Sequence, residues 1–293
     1  MKKLLVLLAA IVLMANIGLA AELEYFQVYK PKGGMKADEI MRIEYFVKYT
    51  KFARDAELKG KAYFIDKSGT VREKETLRQR ITLGRKLDDI AYKDLVIFTS
   101  PAVRGMGTLT WTYMFPKRQQ DSWLWVPSLK KIRKISSANA DDSFLGSDFT
   151  NEDILTRRFE DETYTLLREE NFKGYLCEFD KKTYFKDAPC FVIEAKPIKK
   201  PWYYSKRILW VDKDTGGGIY EEMYDPLGRM FKTLFKEYVI YDVNGKGYPV
   251  QAMLEGKDLR TGHRTVIVNS DIKFDRGLSE NLFTERALMQ SRW

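Results

Sequence analysis

The chain has 293 residues, 44% of them hydrophobic and 31% charged, with 50 basic against 41 acidic side chains and a formal net charge of +9. That length buries a core without disulfide help, and because charges of both signs are interspersed, the moderate basic excess is compatible with anionic lipid headgroups and equally with a solvated surface. Two cysteines and a single histidine show no zinc-ligand spacing and leave little for histidine-based proton transfer.

At the start of the chain, Lys2 and Lys3 precede an apolar run from Leu4 to Ala15, and Gly18, Leu19 and Ala20 supply small residues where a signal peptidase reads. Asn16 and Gly18 interrupt the run, so an export signal over residues 1–20, cleaved near Ala20, is expected rather than a membrane anchor. No cysteine follows the run to carry a lipid. A periplasmic or secreted chain follows, with one domain over residues 21–293. Export also disfavours a nucleic-acid partner.

From Lys36 to Tyr49, the residues Ile40, Ile43, Phe46 and Val47 fall three and four apart behind acidic Asp38 and Glu39, which predicts an amphipathic helix. Beyond it the period becomes two. Leu109, Trp111, Tyr113 and Phe115 share one face of a predicted strand and Thr108, Thr110 and Thr112 the other. Turn chemistry recurs at Asp66–Gly69, Asp214–Gly216, Asp225–Gly228, Asn244–Gly247 and Arg260–Gly262. Such short turns join antiparallel neighbours, so a large meandering sheet is predicted, mainly β with few helices, and large enough to curl into a filled barrel or an open one with a plugged mouth.

Residues 125–154 read "WVPSLKKIRKISSANADDSFLGSDFTNEDI". Counting from Asp141, a calcium loop would place Ser143, Gly146 and Glu152 correctly, but Leu145 and Phe149 stand where ligand oxygens belong. Ser136, Ser137, Asp141 and Asp142 read as solvated loop, and no Gly-x-Ser-x-Gly elbow supports a serine nucleophile. His263, in the turn-like "LRTGHRT", reads as a surface hairpin residue. Thr150 and Asp153 form a capping-box variant that starts a short helix near Asn151. Phe144, Leu145, Phe149, Ile154 and Leu155 are either a greasy cover over the mouth of the sheet or ordinary core. Cys177 and Cys190, thirteen apart in an exported chain, leave a disulfide and two buried free thiols equally open.

"WVPSLKKIRKIS" followed by "DDSFLGSDFTNED" resembles the outer membrane lipoprotein-sorting protein family, the LolA-like periplasmic carriers. "FTSPAVRGMGTL", "YSKRILWVDKDTG", "LRTGHRTVIVNSDIKF" and "GLSENLFTERAL" follow in the order of that family, so the resemblance reaches from about Lys36 to the C-terminus. It implies a half-open antiparallel β-barrel whose apolar concave face is covered by short helices, with lipid or lipoprotein acyl chains held between sheet and cover. No covalent chemistry, cofactor or metal is implied. Phe144, Leu145, Phe149, Ile154 and Leu155 would then belong to the cover, and Arg133 and Lys134 would meet headgroups at the mouth. The segment from Gly174 to Pro189 looks like an added hairpin. The sequence resembles the broader, less characterised branch of the family, in which members resemble accessory proteins of hydrophobic-molecule exporters. A monomer taking cargo from an inner-membrane exporter to an outer-membrane acceptor is the expectation. The alternative is a lipid- or lipoprotein-sensing regulator that binds a protein partner, as in the anti-sigma-factor partners that share the fold.

Overall fold

The computed structural model describes residues 30–50, 53–83, 90–113, 120–135, 140–155 and 157–290. Residues 1–20, where an export signal is expected, Phe115 and the Ser136-Ser137 pair lie outside the described residues.

The predicted helix forms as α1, Ala37–Tyr45, and its first turn is acidic. Lys36 N–H donates to Glu39 Oε2 at 2.7 Å, which satisfies a backbone donor the helix leaves open. The α-helix stops at Tyr45 and continues as a π turn, Phe46–Thr50. Beyond it run β1 (Asp55–Ile65), β2 (Val71–Thr82), β3 (Ile90–Phe98), β4 (Gly107–Tyr113), β5 (Asp121–Val126) and β6 (Lys131–Ile135). The second half holds β7 (Glu162–Asn171), a small hairpin of β8 (Tyr175–Leu176) and β9 (Thr183–Tyr184), then β10 (Pro189–Pro197), β11 (Lys206–Asp212), β12 (Gly218–Tyr224), β13 (Met230–Val243), β14 (Lys246–Asp258) and β15 (Arg264–Phe274). Two short helices complete the list, α2 (Asn151–Ile154) and α3 (Glu285–Gln290).

Thirteen strands form one sheet in the order β6-β5-β4-β3-β2-β1-β15-β14-β13-β12-β11-β10-β7. Each of the five turn signals closes a hairpin of this sheet. Asn244 and Gly245, both at positive φ (54° and 78°), give the β13–β14 turn the handedness that two-residue hairpins need. The meander is broken once, where β1 pairs with β15 and brings the two ends of the described chain to the middle of the sheet. The edges are therefore β6 and β7, successive strands that do not pair, and the sheet stays open along that seam. Residues 140–155 lie in the connection between those edges.

Both faces of the sheet are covered. On the outer face, Leu109, Trp123 and Trp125 pack with Phe283 and Leu288 of the C-terminal tail, and Trp111 Nε1–H donates to Phe283 O at 3.0 Å. The tail is held by the Asp55 carboxylate, which accepts the backbone N–H of Arg276 (2.7 Å) and Gly277 (2.8 Å). Elsewhere on that face the β8–β9 hairpin stacks Tyr175 on Phe235, rings 4.3 Å apart. On the inner face, Ile40 and Met41 of α1 seal β10 and β11 against Phe191, Ile193, Leu209 and Val211. The other half of the inner face is not filled by a helix.

Candidate binding cavity

A cavity of about 180 Å³ lies against that second half, lined by strands as far apart in the sheet as β4 (Thr108, Thr110) and β13 (Tyr238), so the sheet curves round it. Its apolar wall includes Leu58, Ala62, Phe64, Val96, Phe98, Val250, Leu254 and Ile267. The opposite wall is the segment between the edge strands: Phe144, Leu145, Ile154 and Leu155 all face the cavity.

The local fold of that segment follows from its sequence. Phe144 N–H donates to Phe149 O at 2.8 Å, and the Ser143 and Ser147 hydroxyls close the loop on the carbonyls of Ser147 and Phe144, each at 2.6 Å. Leu145 and Gly146 turn the tip at positive φ, 54° and 81°. Thr150 Oγ1 accepts Asp153 N–H at 3.3 Å while Asp153 Oδ2 accepts Thr150 N–H at 2.8 Å, the capping box that starts α2.

Phe149 takes a different position from its neighbours. It does not line the cavity but is 2% exposed, packed with Tyr204, Met223, Phe231 and Leu234. Gly256 makes room for it, since a Cβ there would stand 3.2 Å from the Phe149 ring. Phe149 is the anchor of the segment, and the other four are its cavity face. Polar contacts add to the anchor. Asp148 Oδ2 lies 2.6 Å from His263 Nδ1 and accepts the Thr265 hydroxyl at 2.7 Å, while Asp148 N–H donates to Thr265 Oγ1 at 3.0 Å. Asp153 pairs with Lys232, and Glu152 with Arg157 at 3.1 Å. His263, expected as a surface hairpin residue, thus clasps the segment to the β14–β15 hairpin.

Arg133 and Lys134 are not among the residues lining the cavity. They lie on the edge strand β6, where Lys134 pairs with Asp121 at 2.5 Å. The charged residues that line the cavity are instead Arg78 and Arg80 of β2 and Asp94 of β3, with Lys48 of the π turn and Asp153 of α2. Arg78 donates to both oxygens of Asp94 (2.8 and 2.7 Å), and Arg80, 3% exposed, lies over the Tyr92 ring at 3.6 Å and donates to Tyr49 O. Burial alone would raise the Asp94 carboxyl; the Arg78 and Arg80 charges reverse that and hold it below the usual carboxylate range. The threonine face of β4 also points here, and its aromatic face is turned outward. Single-strand alternation shows that two faces exist but not which one is concave.

Deeper, under α1, Arg207 bridges Glu162 (2.9 and 2.6 Å) and Glu221 (2.5 Å), and Lys236 pairs with Glu221. Cys177 and Cys190 are buried free thiols in separate clusters, so the disulfide reading is not realised; burial pushes both up to about 12, which keeps them protonated at neutral pH. What this arrangement offers is a concave chamber with an apolar wall and a polar band of three cations and two carboxylates.

A family model described as an uncharacterized protein matches residues 91–290. Solved structures with similar folds include a DUF1329 family protein from Desulfovibrio piger ATCC 29098, at 26% identity over 86% of this chain and 97% of that one, with a TM-score of 0.70. A domain from Vibrio parahaemolyticus, assigned as an outer membrane lipoprotein-sorting protein, is similar at 25% identity over 86% of this chain and 98% of that one, with a TM-score of 0.71. A LolA superfamily protein from Nitrosomonas europaea shares the fold at 21% identity, covering 87% of this chain and 100% of that one, with a TM-score of 0.58. No curated protein matches the chain in sequence.

Proposed function

The chain belongs to the LolA-like outer membrane lipoprotein-sorting family, and from that premise we propose that it is a periplasmic carrier, holding acyl chains of a lipid or lipoprotein under the 140–155 segment for transfer between envelope membranes. The observation that carries the reading is the pair of facing apolar walls, Phe144, Leu145, Ile154 and Leu155 on one side and Leu58, Phe64, Phe98 and Ile267 on the other. Burial supplies the affinity. Each acyl CH₂ removed from water contributes about 0.8 kcal/mol, so a chain is retained without a covalent bond, a cofactor or a nucleophile. Release requires a competing apolar surface on the acceptor, and an inner-membrane donor and an outer-membrane acceptor are the partners this implies.

Volume limits the cargo of the closed form. A water-sized sphere takes roughly 10–15 Å³, so the cavity has room for a dozen or more such groups, about the bulk of one acyl chain. We expect mass spectrometry of lipids extracted from protein purified under mild conditions to find acyl-chain compounds, and the double variant Phe144→Asp/Leu145→Asp to lose them while its sheet stays folded. Both side chains face the cavity, so the added charges meet acyl chain rather than core. Equal lipid content in the folded variant would refute the cavity as the binding site. Phe149→Asp is not a substitute for this test, because its charge would be buried in the core and would test folding.

A further inference from the structure

Strand β2 carries five polar side chains on its inner face, Arg72, Lys74, Thr76, Arg78 and Arg80, at alternate positions. Thr76, Arg78 and Arg80 line the cavity, and the two arginines there pair with Asp94, Tyr92 and Tyr49 as described. The other two are different. Among the described residues neither Arg72 nor Lys74 has an ion-pair partner, and the acidic neighbour Glu73 points to the other face, where it pairs with Lys61 at 2.6 Å. The Lys74 ammonium lies 4.5 Å from the centroid of Phe64 and 5.6 Å from that of Phe98, two rings of the cavity wall. Its hydrogen bond to the covering segment is long, 3.4 Å, and is made to the carbonyl of Leu145, the residue held at positive φ with its side chain in the cavity.

An uncompensated cation at the edge of an apolar chamber, with N–H donors to spare, is the environment an anionic headgroup needs when its chain lies inside. We infer that the cargo is an anionic amphiphile and that Lys74, with Arg72 beside it on β2, receives its phosphate or carboxylate headgroup at the rim of the cavity. This deepens the carrier reading and rests on it. Burial, and then the Arg72 charge, hold the Lys74 ammonium below its ordinary value, a cost that a bound anion would relieve. The same contact engages the cover: an anion that takes the Lys74 N–H donors withdraws one from Leu145 O, loosening the tip of the segment that closes the chamber.

The test is calorimetric titration of the full mature chain with dodecyl phosphate, dodecanoate, the uncharged dodecyl maltoside and inorganic phosphate, each below its micelle concentration. Wild type is expected to bind the two anionic amphiphiles about tenfold more tightly than the neutral one, as a charged hydrogen bond allows. In Lys74→Gln the ratio of anionic to neutral affinity should fall to about one, and Lys74→Arg should restore it. A tenfold preference that survives in Lys74→Gln overturns the headgroup assignment and leaves the carrier standing. Failure of every dodecyl compound to bind wild type overturns the carrier reading and the headgroup site with it. Inorganic phosphate binding as tightly as dodecyl phosphate would show a site for the free ion and overturn the amphiphile. The phosphate and carboxylate arms then rank the two headgroup sources.

Discussion

The two halves of the concave face are built from one sheet with one alternation, yet they are closed in different ways. Over β10 and β11 the cover is α1, which inserts Ile40 and Met41, both fully buried, into an apolar cluster. Beneath it the charges of Arg207, Glu162, Glu221 and Lys236 neutralise one another in a fully buried site. Over β1 to β4 the cover is the 140–155 segment, whose one deep anchor is Phe149 and whose other ties are the polar contacts of Asp148, Glu152 and Asp153. The Asp148 tie, made to the partly exposed His263, exchanges for water at small net cost, whereas the Asp153–Lys232 pair is as buried as the Arg207 network and does not. The two covers thus differ in how much apolar side chain each commits to the sheet, and on the carrier reading proposed above the less committed one is the wall that opens.

The largest expected effect lies in the sealed half. Arg207→Ala would leave Glu162 and Glu221 buried without their shared guanidinium, and removing one member of such a network costs about 3–5 kcal/mol. Urea unfolding should show this as a loss of global stability; a loss below about 1 kcal/mol would mean that water reaches the site and that the two halves are less different than their packing indicates. Acid gives the next effect. Burial alone would raise Glu162, but Arg207 and Arg157 hold it below its ordinary value; Glu221 is likewise held well below, by Lys236 and then Arg207. Because these folded-state values are depressed, the stabilisation is complete above the unfolded glutamate value of about 4.3 and is lost as pH falls from there through the folded values. Stability measured against pH should therefore fall in that acid window, and the fall should be shallower in Arg207→Ala, where the carboxylates have lost the partner that depresses them.

How much of this was legible in the sequence depends on the range of the interaction. The hairpin turns and the Thr150–Asp153 capping box were readable because their chemistry is complete within four residues. The grouping of Phe144, Leu145, Ile154 and Leu155 was readable as apolar residues in a polar loop, but Phe149 could not be told from them, because its role depends on Gly256, more than a hundred residues away. The basic run at Arg133 and Lys134 stands out along the chain, whereas Lys74 does not; only the register of β2 against β1, which sets Lys74 opposite Ala62 beside the aromatic wall, distinguishes it. The Arg78–Asp94 pair is likewise a product of strand register, and the His263 clasp joins a hairpin turn to a loop 115 residues away in sequence.

That clasp gives the smallest and most local expected effect, and it bears directly on the contrast between the two covers. Asp148→Asn keeps the size of the side chain but removes the charge that faces His263 and Thr265, which should weaken the tie by about 1 kcal/mol. If the 140–155 segment opens as a unit of its own, the cost should appear in local opening rather than in global unfolding. The amide of Phe144, bonded to Phe149 O across the loop, reports that opening: its hydrogen exchange should quicken by several-fold at unchanged urea midpoint. The amide of Ile40, bonded to Lys36 O in the sealed half, should exchange as before. Quickening at both positions together would mean that cover and sheet open in one step, so that cargo entry would require partial unfolding of the sealed half. No change at either would place the whole hold of the segment on Phe149 and the Asp153–Lys232 pair, and the openable wall would then begin at Leu145 rather than at Asp148.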